Sequence, residues 1–171
     1  MGSFLELIFF LCIFAFKFIH MLEIERKFLV LNDDFIKESS SKSTIIQGYI
    51  FSTPEKSVRV RVKKNCDISE AFLTIKGNGN ESGTTRDEFE YPIPVFDAEN
   101  MFDLCDSMLM KIRYEVPIGE HVYEVDVFKG RNSGLIVAEI ELNSEDETFS
   151  KPYWLGEEVT GDVKYYIQVY Q

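Results

Sequence analysis

Charged and apolar residues alternate along much of the chain after residue 22. The pattern is clearest in three segments, residues 57–62, 71–76 and 122–127. Successive side chains of a β-strand point to opposite faces, so a period of two indicates strands. Turn-forming pairs such as Asn78-Gly79 and Gly119-Glu120 separate the alternating segments. We therefore predict seven or eight strands, mostly antiparallel.

The same reading predicts fewer helices. A helix is predicted over residues 97–109, with Asp97 as its candidate N-cap. Its apolar side chains recur at the spacing of one helix face, at Met101, Leu104, Cys105 and Met108. A second stripe predicts a C-terminal helix and is formed by Val163, Tyr166, Ile167 and Tyr170. Residues 33–39 predict a short third helix. We interpret these stripes as faces that pack on the core, which makes the chain an α+β protein.

The first twenty residues differ in composition from the rest of the chain. Residues 7–16 are an uninterrupted apolar run between Glu6 and Lys17. This run is shorter than the roughly 20 residues that cross a bilayer, and no basic segment or small-residue cleavage site accompanies it. Three interpretations remain: an extension upstream of a true start at Met21, a membrane or interfacial anchor, or a cleaved signal. We expect residues 21–171 to form one domain and residues 1–20 to be a hydrophobic extension.

Composition excludes several classes of function. The chain of 171 residues has 18 Lys and Arg against 29 Asp and Glu, a net charge of −11. So acidic a protein repels phosphate backbones, which argues against a nucleic-acid partner. The chain has two His and three Cys without CxxC or HxxxH spacing, which argues against zinc sites and disulfide frameworks and suits the reducing cytoplasm. Any metal would be a hard cation held by carboxylates.

Charged residues occupy one face of nearly every predicted strand. They are Glu23, Glu25, Lys27, Arg59, Arg61, Lys76, Arg86, Glu88, Glu90, Lys111, Arg113, Glu124, Asp126, Glu139 and Glu141. A solvated sheet face is one explanation. The other is a closed barrel with a wet interior, and it is favoured by same-sign pairs such as Arg59 and Arg61. Burying bare ions costs several kcal/mol each, so such an interior needs ion pairs, water or a charged ligand. Clustered bases suit a polyanion, and clustered carboxylates suit Mg²⁺ or Mn²⁺.

Several of these segments together resemble a known family. They are residues 23–30, which begin with the ExExK pattern Glu23-Ile24-Glu25-Arg26-Lys27, and residues 47–49, 58–61, 73–77, 111–114, 124–126, 138–142 and 158–162. In order and spacing they are similar to the CYTH superfamily, the triphosphate tunnel metalloenzymes. The resemblance covers residues 22 to about 166 and is strongest to the short, single-domain bacterial type.

The resemblance implies a closed eight-stranded antiparallel β-barrel, a tunnel with a few flanking helices. It implies that the tunnel binds a triphosphate group together with Mg²⁺ or Mn²⁺. By analogy, the metal ligands are Glu23, Glu25, Glu139 and Glu141, with Asp126 in support. The groups that bind phosphate are Lys27, Arg59, Arg61, Lys76, Arg86, Lys111 and Arg113. Tyr49 resembles a position that acts with a lysine, here Lys27 or Lys76, near the attacking water.

Three functions remain open at this point. The first is a metal-dependent triphosphatase acting on inorganic triphosphate or on a nucleoside or organic triphosphate. The second is a class IV adenylate cyclase, which the absence of an obvious adenine or ribose reader disfavours. The third is a non-catalytic polyphosphate-binding module, which a departure from the family pattern favours: Ile167 stands where an Asn is expected. All three predict a small triphosphate-containing molecule as partner, with a membrane involved only if residues 1–20 are an anchor.

Overall fold

A computed structural model of the protein describes residues 21–53, 55–66, 68–80 and 82–165. Within these residues nine strands form: β1 (Met21–Val30), β2 (Ser41–Ser52), β3 (Ser57–Asn65), β4 (Ile68–Gly79), β5 (Thr85–Ile93), β6 (Ser107–Ile118), β7 (His121–Phe128), β8 (Ile136–Glu141) and β9 (Leu155–Glu158). The helices there are α1 (Phe35–Glu38), α2 (Val95–Met101) and the 3₁₀ turns Phe102–Leu104, Gly130–Asn132 and Val163–Tyr165. None of these helices is long and apolar enough to cross a membrane. The three interpretations of residues 1–20 lie outside the described residues.

Eight of the strands close into an antiparallel barrel. Their order is β5-β4-β3-β2-β6-β7-β8-β1, and β1 returns to β5 through the pairing of residues 21–24 with residues 85–88. Strand β1 pairs with two neighbours: its residues 21–24 pair with β5, and its residues 25–29 pair with β8. The short strand β9 adds to the far end of β1, where Phe28 and Val30 are paired with it. The predicted closed eight-stranded barrel is confirmed, with one strand added to it.

The apolar side of the strands faces outward and is buried under the connecting segments. The larger cluster comprises Ile24, Phe28, Phe35, Val116, Tyr123, Val125, Ala138, Ile140, Leu142 and Trp154. Trp154 stacks edge-on against Phe35 of α1, and its indole Nε1 donates a hydrogen bond of 2.9 Å to Glu38. A second cluster brings Val60, Val62 and Ala71 against Ala98 of α2. Because the apolar side is covered from outside, the charged positions are left for the interior.

The helix predicted over residues 97–109 is corrected. Helix α2 begins at Val95, directly after Pro94, so Asp97 lies in its first turn and is not its N-cap. The helix is also shorter than predicted, since a 3₁₀ turn follows it and β6 begins at Ser107. From Ser107 onward the chain forms a strand and not a helix, because β6 pairs with β2 along nine consecutive residues. Near the C-terminus the structure has only the 3₁₀ turn Val163–Tyr165; the rest of that predicted helix lies outside the described residues.

Candidate active site in the barrel interior

The strand register places the predicted charged face inside the barrel. Residues that oppose each other on neighbouring strands share a face. The opposed pairs include Glu23 with Arg86, Lys27 with Glu139, Glu139 with Glu124, Asp126 with Arg113, and Lys76 with Glu88. On β2, Ser43 is opposed to Arg113, and Gln47 and Tyr49 are opposed to Arg61 and Arg59. The fifteen charged positions therefore line one continuous interior wall.

Ion pairs connect fourteen of these fifteen residues. Lys76 contacts both Glu23 and Glu88, with Nζ to oxygen distances of 2.8 and 2.7 Å. Lys27 bridges Glu25, at 2.5 Å, and Glu139. The same kind of pairing joins Arg86 to Glu23 and Glu25, Arg61 to Glu90, and Arg59 to Glu88. Such pairing offsets the cost of holding four of the bases, Lys27, Lys76, Lys111 and Arg113, at 7% exposure or less.

Asp126 is the most buried acid of the interior and holds two bases. Its carboxylate accepts hydrogen bonds of 2.7 and 2.6 Å from Arg113 and one of 2.5 Å from Lys111. Burial, together with repulsion from Arg113, lowers the pKa of Lys111 to about 8 even though Asp126 and Glu139 oppose that shift. Burial raises the pKa of Asp126, but Arg113 and Lys111 outweigh it and keep that pKa below its usual value. In this structure Asp126 positions Lys111 and Arg113; its supporting role at a metal remains a prediction.

The remaining acids offer an all-oxygen site for a cation. Glu25 and Glu141 are directly opposed on β1 and β8. Within the described residues Glu141 has no ion-pair partner, and burial followed by the charges of Glu23, Glu124 and Glu25 raises its pKa. A cluster of carboxylates with one acid left uncompensated is the donor chemistry that Mg²⁺ and Mn²⁺ bind. The residues present therefore fit a hard divalent cation.

The acids would have to exchange partners to bind that cation. In the part of the chain that the structure describes, no three of them converge as a ready metal site, since Glu23, Glu25 and Glu139 are held by lysines and arginines. Burial raises the pKa of Glu23, but Lys76 and Arg86 bring it well below its usual value. A cation could replace the bases around these acids only if another anion took up the released bases. The arrangement therefore suits a cation and a polyanion that bind together.

Two arginines each have a buried hydrogen-bond donor without a partner among the described residues. The Nε atoms of Arg59 and Arg61 are buried, and neither has an acceptor among the described residues. The ion pair between Arg59 and Glu88 is long, at 3.7 Å. Buried polar groups are nearly always satisfied, so two such donors on adjacent interior positions of β3 point to an anionic ligand.

Tyr49 lies beside two of the bases. Gln47 Nε2 donates a hydrogen bond of 2.6 Å to Tyr49 Oη. Burial raises the pKa of Tyr49, although Arg59 and Lys27 lie close enough to lower it in part. Burial also lowers the pKa of Lys27, but Glu139 and Glu25 raise it above its usual value, so Lys27 is charged. The structure thus places Tyr49 within the electrostatic influence of Lys27, and Lys76 lies on the same wall.

Sequence reasoning missed five polar residues of this wall: Ser43, Gln47, Lys63, Thr74 and Glu115. Lys63 Nζ lies 3.0 Å from Glu115, and Thr74 Oγ1 donates a hydrogen bond of 2.8 Å to Glu90. Alternation could have found two of them, because Lys63 continues the series of Arg59 and Arg61 and Glu115 continues that of Lys111 and Arg113. The uncharged ones carry no such signal.

Comparison with known proteins gives consistent matches. The family model for the CYTH domain matches residues 21–166. An inorganic triphosphatase of Acetivibrio thermocellus is 44% identical over 146 residues, which cover 84% of this chain and 88% of that protein. An inorganic triphosphatase of Nitrosomonas europaea is 37% identical over 150 residues, covering 85% and 93%. A solved structure of an inorganic triphosphatase superposes with a TM-score of 0.58 at 33% identity and covers 85% of this chain and 92% of its own.

Proposed function

Because the chain belongs to the CYTH domain family, we propose that it is a metal-dependent triphosphatase that hydrolyses the terminal phosphoryl group of inorganic triphosphate or of an organic triphosphate. The observation that carries the proposal is the interior wall of paired bases and acids, in which each base can be released to a phosphate as each acid is released to a cation. The two relatives named inorganic triphosphatase support the same reaction.

Binding would proceed by this exchange of partners. Phosphate oxygens would accept hydrogen bonds from the predicted phosphate-binding bases, first from the unpartnered Nε donors of Arg59 and Arg61. One ion contact at about 4 Å is worth roughly 4 kcal/mol at an effective dielectric near 20, before desolvation is subtracted. Several contacts of this size can hold a polyanion inside a protein whose net charge is −11.

The acids Glu23, Glu25, Glu139 and Glu141 would hold the divalent cation. A bound Mg²⁺ or Mn²⁺ supplies positive charge that polarises phosphoryl oxygens and makes water more acidic. We propose either of these two metals, since a carboxylate site accepts both. The resemblance to the triphosphate tunnel metalloenzymes, on which this metal dependence rests, spans the residues that the family model matches.

The chain's own groups would orient the reactants and stabilise charge. Tyr49 Oη, fixed by Gln47, and the charged Nζ of Lys27 would hold the attacking water against the terminal phosphorus. Lys76, Arg59 and the other bases would stabilise the charge on the transferring oxygens, which is most of what a protein contributes to phosphoryl transfer. The roles of these residues are proposals that rest on their placement.

A cytoplasmic location is also proposed. It rests on the reduced state that the cysteine pattern suggests, and the two cysteines that the structure describes, Cys66 and Cys105, are both free thiols. The partner is a small triphosphate-containing molecule.

One assay tests the proposed function. The full chain is incubated with tripolyphosphate, ATP or thiamine triphosphate, with Mg²⁺, with Mn²⁺ or with a chelator, and orthophosphate, diphosphate and cyclic AMP are measured. We expect metal-dependent release of orthophosphate. Formation of cyclic AMP and diphosphate without orthophosphate would instead identify an adenylate cyclase. No turnover, with a melting temperature that rises with added tripolyphosphate, would identify a binding module.

A further inference from the structure

At one end of the barrel interior, apolar side chains line the side that is formed by four of the eight strands. Tyr49, Leu109, Phe128 and Val137 form a buried cluster. The register shows that these residues belong to the interior wall, because Leu109 is opposed to Gln47, Phe128 to Lys111 and Val137 to Asp126. The cluster covers four consecutive strands, β2, β6, β7 and β8. We call it the closed end.

The opposite end is exposed and charged. Along β7 the exposed fraction of the side chain rises from 1% at Asp126 to 41% at Glu124, and along β6 it rises from 7% at Arg113 to 33% at Glu115. Lys63, at 28%, pairs with Glu115, so β3 reaches solvent at the same end. We call this set, Lys63, Glu115 and Glu124, the open end.

Tyr49 and Lys27, the two groups proposed to hold the attacking water, lie at or next to the closed end. Tyr49 is a member of the apolar cluster itself. Lys27 is one interior position away from the closed end, since Leu29, the next interior residue of β1, is opposed to Val137. A phosphoryl group that reacts there must therefore occupy the deepest part of the interior.

We propose that a triphosphate enters through the open end with its reacting terminal phosphoryl group first, and that the products leave in a fixed order, diphosphate before orthophosphate. The proposal rests on the proposed triphosphatase function. In the reaction, the oxygen of water bonds to the terminal phosphorus as the bond from that phosphorus to the bridging oxygen breaks. The bridging oxygen stays with diphosphate, the water oxygen stays with orthophosphate, and the water proton passes to a product or to solvent. Because orthophosphate forms beside the apolar cluster, diphosphate lies between it and the open end.

Product inhibition of the full-length protein tests the order. Initial rates of tripolyphosphate hydrolysis are measured with added orthophosphate or diphosphate at constant free Mg²⁺. The product that leaves last binds the same free enzyme as the substrate, so we expect orthophosphate to inhibit competitively and diphosphate to change both slope and intercept. Competitive inhibition by diphosphate would overturn the proposed order. A protein that hydrolyses no triphosphate at all would overturn the proposed function, and the order with it.

A matched pair of variants tests the barrier. Leu109→Ala removes part of the closed end, whereas Leu104→Ala changes a leucine that is 68% exposed. We expect inhibition by diphosphate to become more competitive in L109A, because orthophosphate gains a second exit, and to stay unchanged in L104A. Melting curves show whether L109A is folded. An unchanged pattern in folded L109A would show that the apolar cluster does not close the interior.

Discussion

At the scale of single residues, the interior bases have carboxylates as partners before any ligand arrives. Glu139 shows this most clearly, because it accepts hydrogen bonds from both Lys27 and Arg113. Burial raises the pKa of Glu139, but Lys27, Lys111 and Arg113 together bring it well below its usual value. One carboxylate therefore fixes the positions of several cations. Its loss would disturb both the proposed cation site and the phosphate-binding bases.

The variant Glu139→Gln keeps the shape of the side chain and removes its charge. We expect metal-dependent turnover to fall by about 100-fold or more, as is typical when one charge-stabilising group of an active site is removed. Steady-state kinetics over a range of Mg²⁺ concentration measure the loss, and circular dichroism shows whether the variant folds. Glu120→Gln, on the exposed turn between β6 and β7, is the matched control and should retain full activity. Normal turnover in E139Q would remove Glu139 from the proposed site.

Trp154 is one of the largest side chains buried in the apolar cluster outside the barrel. It is fully buried, packs edge-on against Phe35 and Tyr123, and donates a hydrogen bond to Glu38. We expect Trp154→Ala to lower the free energy of unfolding by about 3–5 kcal/mol, the usual cost of removing a large buried side chain. Its neighbour Tyr153 is 65% exposed, and Tyr153→Ala should change stability by no more than about 0.5 kcal/mol. Urea unfolding of both variants measures the contrast; similar losses would contradict the packing described.

At the scale of elements, the sequence predicted the features that depend on local periodicity, which are the strands and the face that each strand turns to the interior. Alternation placed the interior charges on the correct face, because the period of a strand does not depend on its partners. The helix predicted over residues 97–109 ends early, because pairing of β6 with β2 is a long-range effect that the helical spacing of Met101, Leu104 and Met108 cannot reveal. Strand β9 has no alternation of its own and forms where β1 leaves an edge free. Likewise, the pairing of Lys76 with both Glu23 and Glu88 follows from register, which the sequence of each strand does not contain.

The β4–β5 hairpin is tied to the segment before β9 by one side chain. Asn80 Nδ2, Thr84 Oγ1 and Thr85 Oγ1 donate hydrogen bonds of 2.7, 2.8 and 2.7 Å to a single oxygen of Glu145. The bonds from Thr85 and Thr84 are the main reason that the pKa of Glu145 is lowered from its usual value of 4.5. A carboxyl group whose pKa is lowered by folding stabilises the fold above its unfolded pKa and loses that effect as the pH falls through the folded one.

We therefore expect Glu145→Ala to loosen this hairpin without unfolding the barrel. Amides of the turn that bond to the backbone, such as Gly83 N to Asn80 O, should exchange with solvent several-fold faster than in the original protein. In the original protein the same loosening should appear as the pH falls below 4.5, after correction for the intrinsic exchange rate. Hydrogen exchange measures both effects, with Asp146→Ala as the control at an exposed neighbour. Equal protection in E145A and D146A would show that Glu145 does not hold the hairpin.

At the scale of the whole molecule, charge is divided between inside and outside. The interior wall holds seven bases and eight acids among its predicted residues and is almost neutral, so nearly all of the net charge of −11 belongs to the rest of the chain. An approaching triphosphate meets a like-charged surface first and meets the bases only after entering the barrel. Long-range repulsion and short-range attraction therefore act at different stages of binding.

This division predicts an unusual response to salt. The Debye length falls from about 30 Å at 0.01 M to about 10 Å at 0.1 M, so added salt screens the repulsion outside while partly buried pairs are screened much less. We expect kcat/KM for tripolyphosphate to rise a few-fold over this range at constant free Mg²⁺, whereas attraction by a basic surface would make it fall. Neutralising two exposed acids, Asp103→Asn with Asp33→Asn, should raise kcat/KM at low salt and flatten its dependence on salt. If kcat/KM falls as salt is added, Lys63 and the bases behind it control the encounter at the open end, and the acidic exterior does not.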